Sequence, residues 1–291
     1  MLTMWAAHTT FSDPGQHGHL VRKLPAGAAA ACTAARNVIG HYGADFPAPD
    51  QERRGEVNLR LIRSILDTDQ ARHAATPLDA GRDPATRVAG CCRDHALFVV
   101  AVLREQGTPA RTRVGFADYL IPGFRVDHVI AESWTSGHWI RTDPEMLPGA
   151  VPFDPAVMEA GPEAPFQTAA EAWQSVRSGR VSAETYRVPP GSGFTSSSHL
   201  IRVYVAFELA HRNRDELLLW DIWPALEAFD DDALVDDLAE LLIAADSGDR
   251  SAEADLVTAY ARLGPGDVVT QLSPFGDPPQ QIRIRPLFTA G

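Results

Sequence analysis

The sequence predicts an α+β fold, and three observations carry that expectation. An apolar run over 96–103 ends at a Gly107-Thr108-Pro109 stop. Three strand-like pieces with turn residues between them follow at once, and helical periodicity returns over the last third of the chain.

Residues 1–24 hold His8, His17 and His19 among Gly and Pro without periodicity. His17-Gly18-His19 is a weak chelating pattern with no third placed ligand, so no metal site is expected. The Ala-rich run 26–35 follows Arg22-Lys23 but lacks Leu, Ile and Phe. It reads as an amphipathic or buried helix rather than an export signal. Leu59, Ile62 and Leu66 recur at helical spacing over 58–67, predicting a helix that packs on the one at 96–103. Pro77, Gly81 and Pro84 make 76–87 a loop.

The apolar run is too short to span a bilayer and predicts a buried helix starting near Cys92 or Arg93. A thiol there faces the positive end of the helix dipole, which favours the thiolate. Strands are expected over 110–120, 126–134 and 138–143, separated by Pro122-Gly123 and by Ser136-Gly137. Pairing Thr135 with His138 sets Trp134 opposite Trp139, Glu132 opposite Arg141 and Ile130 opposite Asp143. His128 is then the diagonal neighbour of Asp143 on one face, about 7–8 Å away at the backbone. A one-residue slip would separate them.

Beyond Asp143 the chain is Pro-rich to residue 165. Thr168-Ala169-Ala170-Glu171 forms a capping box ahead of a helix over 172–178, ended by Gly179. Residues 188–198 read as a flexible connector and a candidate lid. Helical patterns cover 199–212, 215–223, 233–245 and 252–263. Asp230, Asp231 and Asp232 sit at a helix start, a solvated face without calcium-loop spacing. Residues 265–291 read as a tail with one short strand around 282–284.

Cys92, His128 and Asp143 are thus a thiol, a base and an orienting carboxylate in chain order. Each has a bland counterpart. Cys91 reads as a small buried hydrophobe. His95, on the same helix as Cys92, flanks the site, and His138 falls on the other strand face. Asp94 and Asp127 read as local hydrogen-bonding groups. Arg93 pairs Asp94 or a substrate anion. Tyr119 and Trp134 are candidates for an acyl pocket, against the commoner role of strand aromatics in a core.

These residues carry a resemblance. Gly90-Cys91-Cys92-Arg93-Asp94, Gly107-Thr108-Pro109-Ala110-Arg111, Asp127-His128 and Trp139-Ile140-Arg141-Thr142-Asp143 resemble four linked motifs of the transglutaminase-like superfamily of papain-fold thiol enzymes. Similarity to a bacterial subgroup extends through 166–177 and Trp220-Asp221-Ile222-Trp223, so Trp220 joins Arg93, His95, Tyr119 and Trp134 as substrate-side candidates. The resemblance implies a nucleophile at Cys92, a base at His128 and its partner at Asp143. It implies a papain-like core with added N- and C-terminal helices. The expected division is a core over 1–190 and a mainly helical extension over 191–291.

Composition sets the outer bounds. A chain of 291 residues buries a sizeable core, and its formal charge of −12 argues against nucleic-acid or anionic-membrane surfaces. Lys23 is the only lysine, and Arg-over-Lys, Ala-rich usage points to a high-GC bacterium. Three cysteines, two adjacent, suit a reducing compartment, and a cytoplasmic protein is expected. No phosphate-binding or serine-hydrolase motif is present, and no metal or organic cofactor is called for. Three functions fit: acyl transfer from a small-molecule or peptide donor to an amine, hydrolysis by the same three residues, or a catalytically silent binding module.

Overall fold

The computed structural model describes residues 2–46, 50–161, 164–188 and 198–285, and it is α+β. The candidate lid therefore lies, over 189–197, outside the described residues. The chain forms two compact units, each built from separate stretches of sequence. One comprises Met1–Arg113, His128–Pro165 and Arg214–Glu216, the other Val114–Asp127, Phe166–Asn213 and Leu217–Gly291.

The first unit is assembled around the helix Cys92–Glu105, in which every residue from Cys92 to Arg104 is buried. A helix apolar all round needs neighbours all round. They are the helices Leu2–Ala6, Gly18–Val21, Ala28–Val38 and Ile62–Arg72, with the parallel strand pair Ile39–His41 and Val88–Gly90. Ala31, Cys32, Ala34 and Ala35 form the buried stripe of Ala28–Val38, and their small side chains allow close approach. The central helix stops as its sequence predicts. Gly107 adopts φ +78°, and the Thr108 N–H reaches the Leu103 carbonyl at 2.8 Å.

Two long strands, Ala110–Ile121 and Phe124–Thr135, form the hairpin of a five-stranded sheet. Their first-unit halves carry the expected register with His138–Thr142: Trp134 pairs Trp139 and Glu132 pairs Arg141. Glu132 accepts from Arg111 at 2.7 Å, Arg113 at 3.2 Å and Arg141 at 3.1 Å, all buried.

In the second unit, Phe166–Thr168 pairs with the Gly115 end of the hairpin, and Tyr186–Arg187 runs parallel to Arg125 and Val126. Gly115 is required there, because a Cβ would lie 2.0 Å from the Gln167 carbonyl oxygen. Thr168 caps Ala169–Arg177 with the expected reciprocal bonds to Glu171. Helices Ser198–Arg212, Asp232–Asp246 and Arg250–Leu263 complete the unit with a small three-stranded sheet.

Three expectations need correction. The helix expected over 58–67 is Ile62–Arg72, because the Ile62 N–H is drawn to the Phe11 carbonyl at 2.9 Å. The tail expected to hold one short strand holds two among its described residues, Val268–Gln271 and Gln280–Arg283, which pair antiparallel. Residues 215–223 are not helical and contain the short strand Asp221–Ile222. There Glu216 binds buried Arg104 at 2.9 Å, and Asp221 accepts the Leu218 N–H at 3.0 Å. Side-chain demands on the backbone override the apolar run.

Candidate active site

The strand Val88–Gly90 delivers the chain to the N-terminus of the central helix. Gly90 passes so close to its surroundings that a Cβ would lie 2.8 Å from Ile39 Cγ2 and 2.9 Å from Asp94 Oδ2. Cys91 follows in extended conformation as the N-cap, and Cys92 is the first helical residue. Asp94 accepts the Cys91 N–H at 3.0 Å and receives Arg93 Nη1 at 2.9 Å. Arg93 Nε donates to the Glu216 carbonyl at 3.1 Å, so this fully buried guanidinium serves the helix start from within. The Cys92 side chain works to lower the Cys91 pKa, but burial and the Asp94 carboxylate outweigh it and hold the thiol above its ordinary value. Cys32 is pushed up to about 12 by burial, with Arg36 opposing and Asp143 adding. Both are protonated thiols near neutral pH.

His128 and Asp143 meet as the strand register implies. His128 Nε2 lies 2.9 Å from Asp143 Oδ2, both residues at most 2% exposed. A carboxylate only accepts, so Nε2 carries the proton and Nδ1 is turned elsewhere, with Glu145 Oε2 at 3.9 Å. Asp143 is itself anchored. Its N–H donates to the Pro155 carbonyl at 2.7 Å, and its Oδ1 accepts the Glu145 N–H at 2.9 Å.

Two titratable neighbours escaped the sequence reading. Glu145 reaches His95 Nδ1 at 3.0 Å from the Pro-rich segment, and His41 contributes to the same electrostatic cluster from its parallel strand. The only sequence signal for Glu145 is its spacing of two from Asp143, which in extended chain shares a side. Burial holds His41 below its ordinary value, so it is neutral near pH 7.

The substrate-side candidates are scattered. His95 is buried on the first turn of the central helix, three residues beyond Cys92. Trp134 lies six residues past His128, roughly 20 Å along the strand. It packs edge-on to Trp139, which meets Trp5 in the same way. Tyr119 and Trp220 are half-buried residues of the second unit. His138 is exposed at the hairpin turn, and His17 binds Asp67 at 2.7 Å. Among the described residues no His/Cys/Asp/Glu group is arranged to hold a metal ion, and no helix is long and apolar enough to cross a membrane.

Residues 59–144 match the family model described as the transglutaminase-like superfamily. One similar solved structure is a proposed cysteine protease from Cytophaga hutchinsonii, at 18% identity and a TM-score of 0.34. The likeness covers 59% of this chain and 48% of that one. No curated protein matches. Cys92, His128 and Asp143 all fall inside the span that resembles the transglutaminase-like superfamily.

Proposed function

We propose that this protein is a cysteine acyltransferase acting on a small-molecule or peptide amide or ester. The His128–Asp143 contact at 2.9 Å carries the reading, because it fixes the imidazole tautomer and turns Nδ1 toward other chemistry. In this mechanism His128 Nδ1 takes the Cys92 proton, and the thiolate sits at a helix N-terminus that favours negative charge. The sulfur attacks the donor carbonyl, and the Cys92 backbone N–H bears the oxyanion. Collapse expels the leaving group, which takes the proton from His128 and leaves a Cys92 thioester. An amine then attacks, His128 accepts its proton, and the new amide forms as the thiolate departs. Asp143 stabilises the imidazolium at each stage.

Low exposure supports transfer over hydrolysis: Cys92 is 8% exposed and His128 2%, which shields a thioester from water. The three buried cysteines form no disulfide, which supports a reducing compartment such as the cytoplasm. The test uses p-nitrophenyl acetate as acyl donor, with and without methylamine. Intact mass is expected to show an acetyl adduct that is absent in Cys92→Ser, and methylamine is expected to speed its loss. Turnover indifferent to methylamine would make the protein a hydrolase. Lack of any adduct would leave the binding-module reading.

A further inference from the structure

Glu145 and His95 hold an arrangement that the three-residue scheme does not use. His95 Nδ1 lies 3.0 Å from the Cys91 carbonyl oxygen, and Nε2 lies 3.2 Å from the Ile39 carbonyl oxygen. Carbonyl oxygens only accept, so both ring nitrogens must donate, and a ring with two N–H groups is an imidazolium. A buried cation needs a counter-ion. Glu145 supplies it, with Oε1 at 3.0 Å from Nδ1. That oxygen is buried, and the two groups meet as an ion pair. The other oxygen, Oε2, stands 3.9 Å from His128 Nδ1.

We infer that Glu145 is a positioning residue shared between two histidines: it neutralises a charged His95 and, through Oε2, sets the protonation of His128. The inference rests on the proposed role of His128 in thiol chemistry only for its functional meaning. One carboxylate between two imidazoles couples them, so that charge lost at either ring falls more heavily on the other.

The surroundings agree in sign. Burial works against the charge on His95, but Glu145, the Cys91 carbonyl and Asp94 outweigh it and raise its pKa. Burial likewise works to raise Glu145, but His95, His41 and His128 pull it down to about 2. His41, from the strand Ile39–His41, is neutral near pH 7, with Asp45 behind it. From the helix Ala28–Val38, Cys32 is a protonated thiol, and Arg36 donates to the Pro144 carbonyl at 2.7 Å. On the central helix Arg93 is matched to Asp94, with Cys91 protonated and Cys92 beside them. Asp143 is engaged with Nε2 on the far side of the His128 ring.

Two variants test this by opposite effects on one observable, the NMR titration midpoint of the His128 imidazole. Glu145→Gln is expected to lower that midpoint by about one pH unit or more and to bring the His95 midpoint below neutrality. His95→Gln frees the carboxylate for His128 and is expected to raise the same midpoint. Glu145→Asp is expected to restore most of the Glu145→Gln shift, and far-UV circular dichroism checks folding. A merely structural role predicts no opposite pair of shifts, so unmoved or same-sign midpoints in folded variants overturn the inference. If Glu145→Gln does not fold, His95→Gln decides alone. Iodoacetamide labelling of Cys92 in the same samples separates the two readings. Shifting histidines beside an unreactive Cys92 would sink the thiol mechanism and keep the coupled pair, and a reactive Cys92 with unmoved histidines would do the reverse.

Discussion

Asp143 does two jobs with two oxygens, orienting His128 through Oδ2 and receiving the Glu145 N–H at Oδ1. Its removal leaves the imidazole free to choose either tautomer. Asp143→Ala is therefore expected to slow acylation by p-nitrophenyl acetate by roughly 10²-fold. That falls short of the ~10⁴ seen when a hydroxyl nucleophile loses its orienting carboxylate, because a thiol needs less help to ionise. Stopped-flow release of p-nitrophenol measures it, and an unchanged rate would deny Asp143 the role. At this scale the His128–Asp143 contact was legible, because strand alternation and a turn between them leave few registers. Glu145 was not, because no periodicity governs a Pro-rich segment, and only the folded chain shows which side chains it returns to the helix.

At the scale of elements, legibility followed the strength of the local signal. The central helix, the hairpin strands and the Thr168 capping box stand where apolar runs, turn residues and the Thr-x-x-Glu spacing put them. The parallel pair Ile39–His41 and Val88–Gly90 was invisible, since two three-residue strands carry no period and meet only through tertiary packing. Residues 215–223 misled for the converse reason. Their apolar run resembles a helix, but Glu216 is drawn to Arg104 and Asp221 to the Leu218 N–H. Gly115 offers a direct test of strand approach. With Gln167 O only 2.0 Å from a would-be Cβ, Gly115→Ala must push two strands apart and is expected to cost about 1–3 kcal/mol. A urea midpoint equal to that of the parent protein would refute the close approach.

For the whole molecule, charge sets the response to pH. Glu145, lowered to about 2, contributes stability that is complete above the ordinary carboxylate range and is lost as pH falls through its folded value. His41, also lowered, acts in the same direction, because acid must charge a buried ring. His95 is raised, so its contribution is complete below its ordinary value and is lost as pH rises through the folded one. The urea midpoint is therefore expected to fall as pH drops from about 4.5 toward 2. It is also expected to fall, more gently, at alkaline pH. Glu145→Gln, unable to protonate, is expected to flatten the acid limb, and an acid limb identical to that of the parent protein would contradict the assignment.

By itself the sequence determined the α+β class, the register of one hairpin and the order of thiol, imidazole and carboxylate along the chain. Those features depend on neighbours a few residues apart, where period and turn chemistry act. Only the tertiary structure decided that the two compact units are each drawn from separate stretches, that Arg93 faces inward, and that Glu145 stands between His95 and His128. Such contacts join residues tens of positions apart, and burial and charge balance choose them after the local elements have formed.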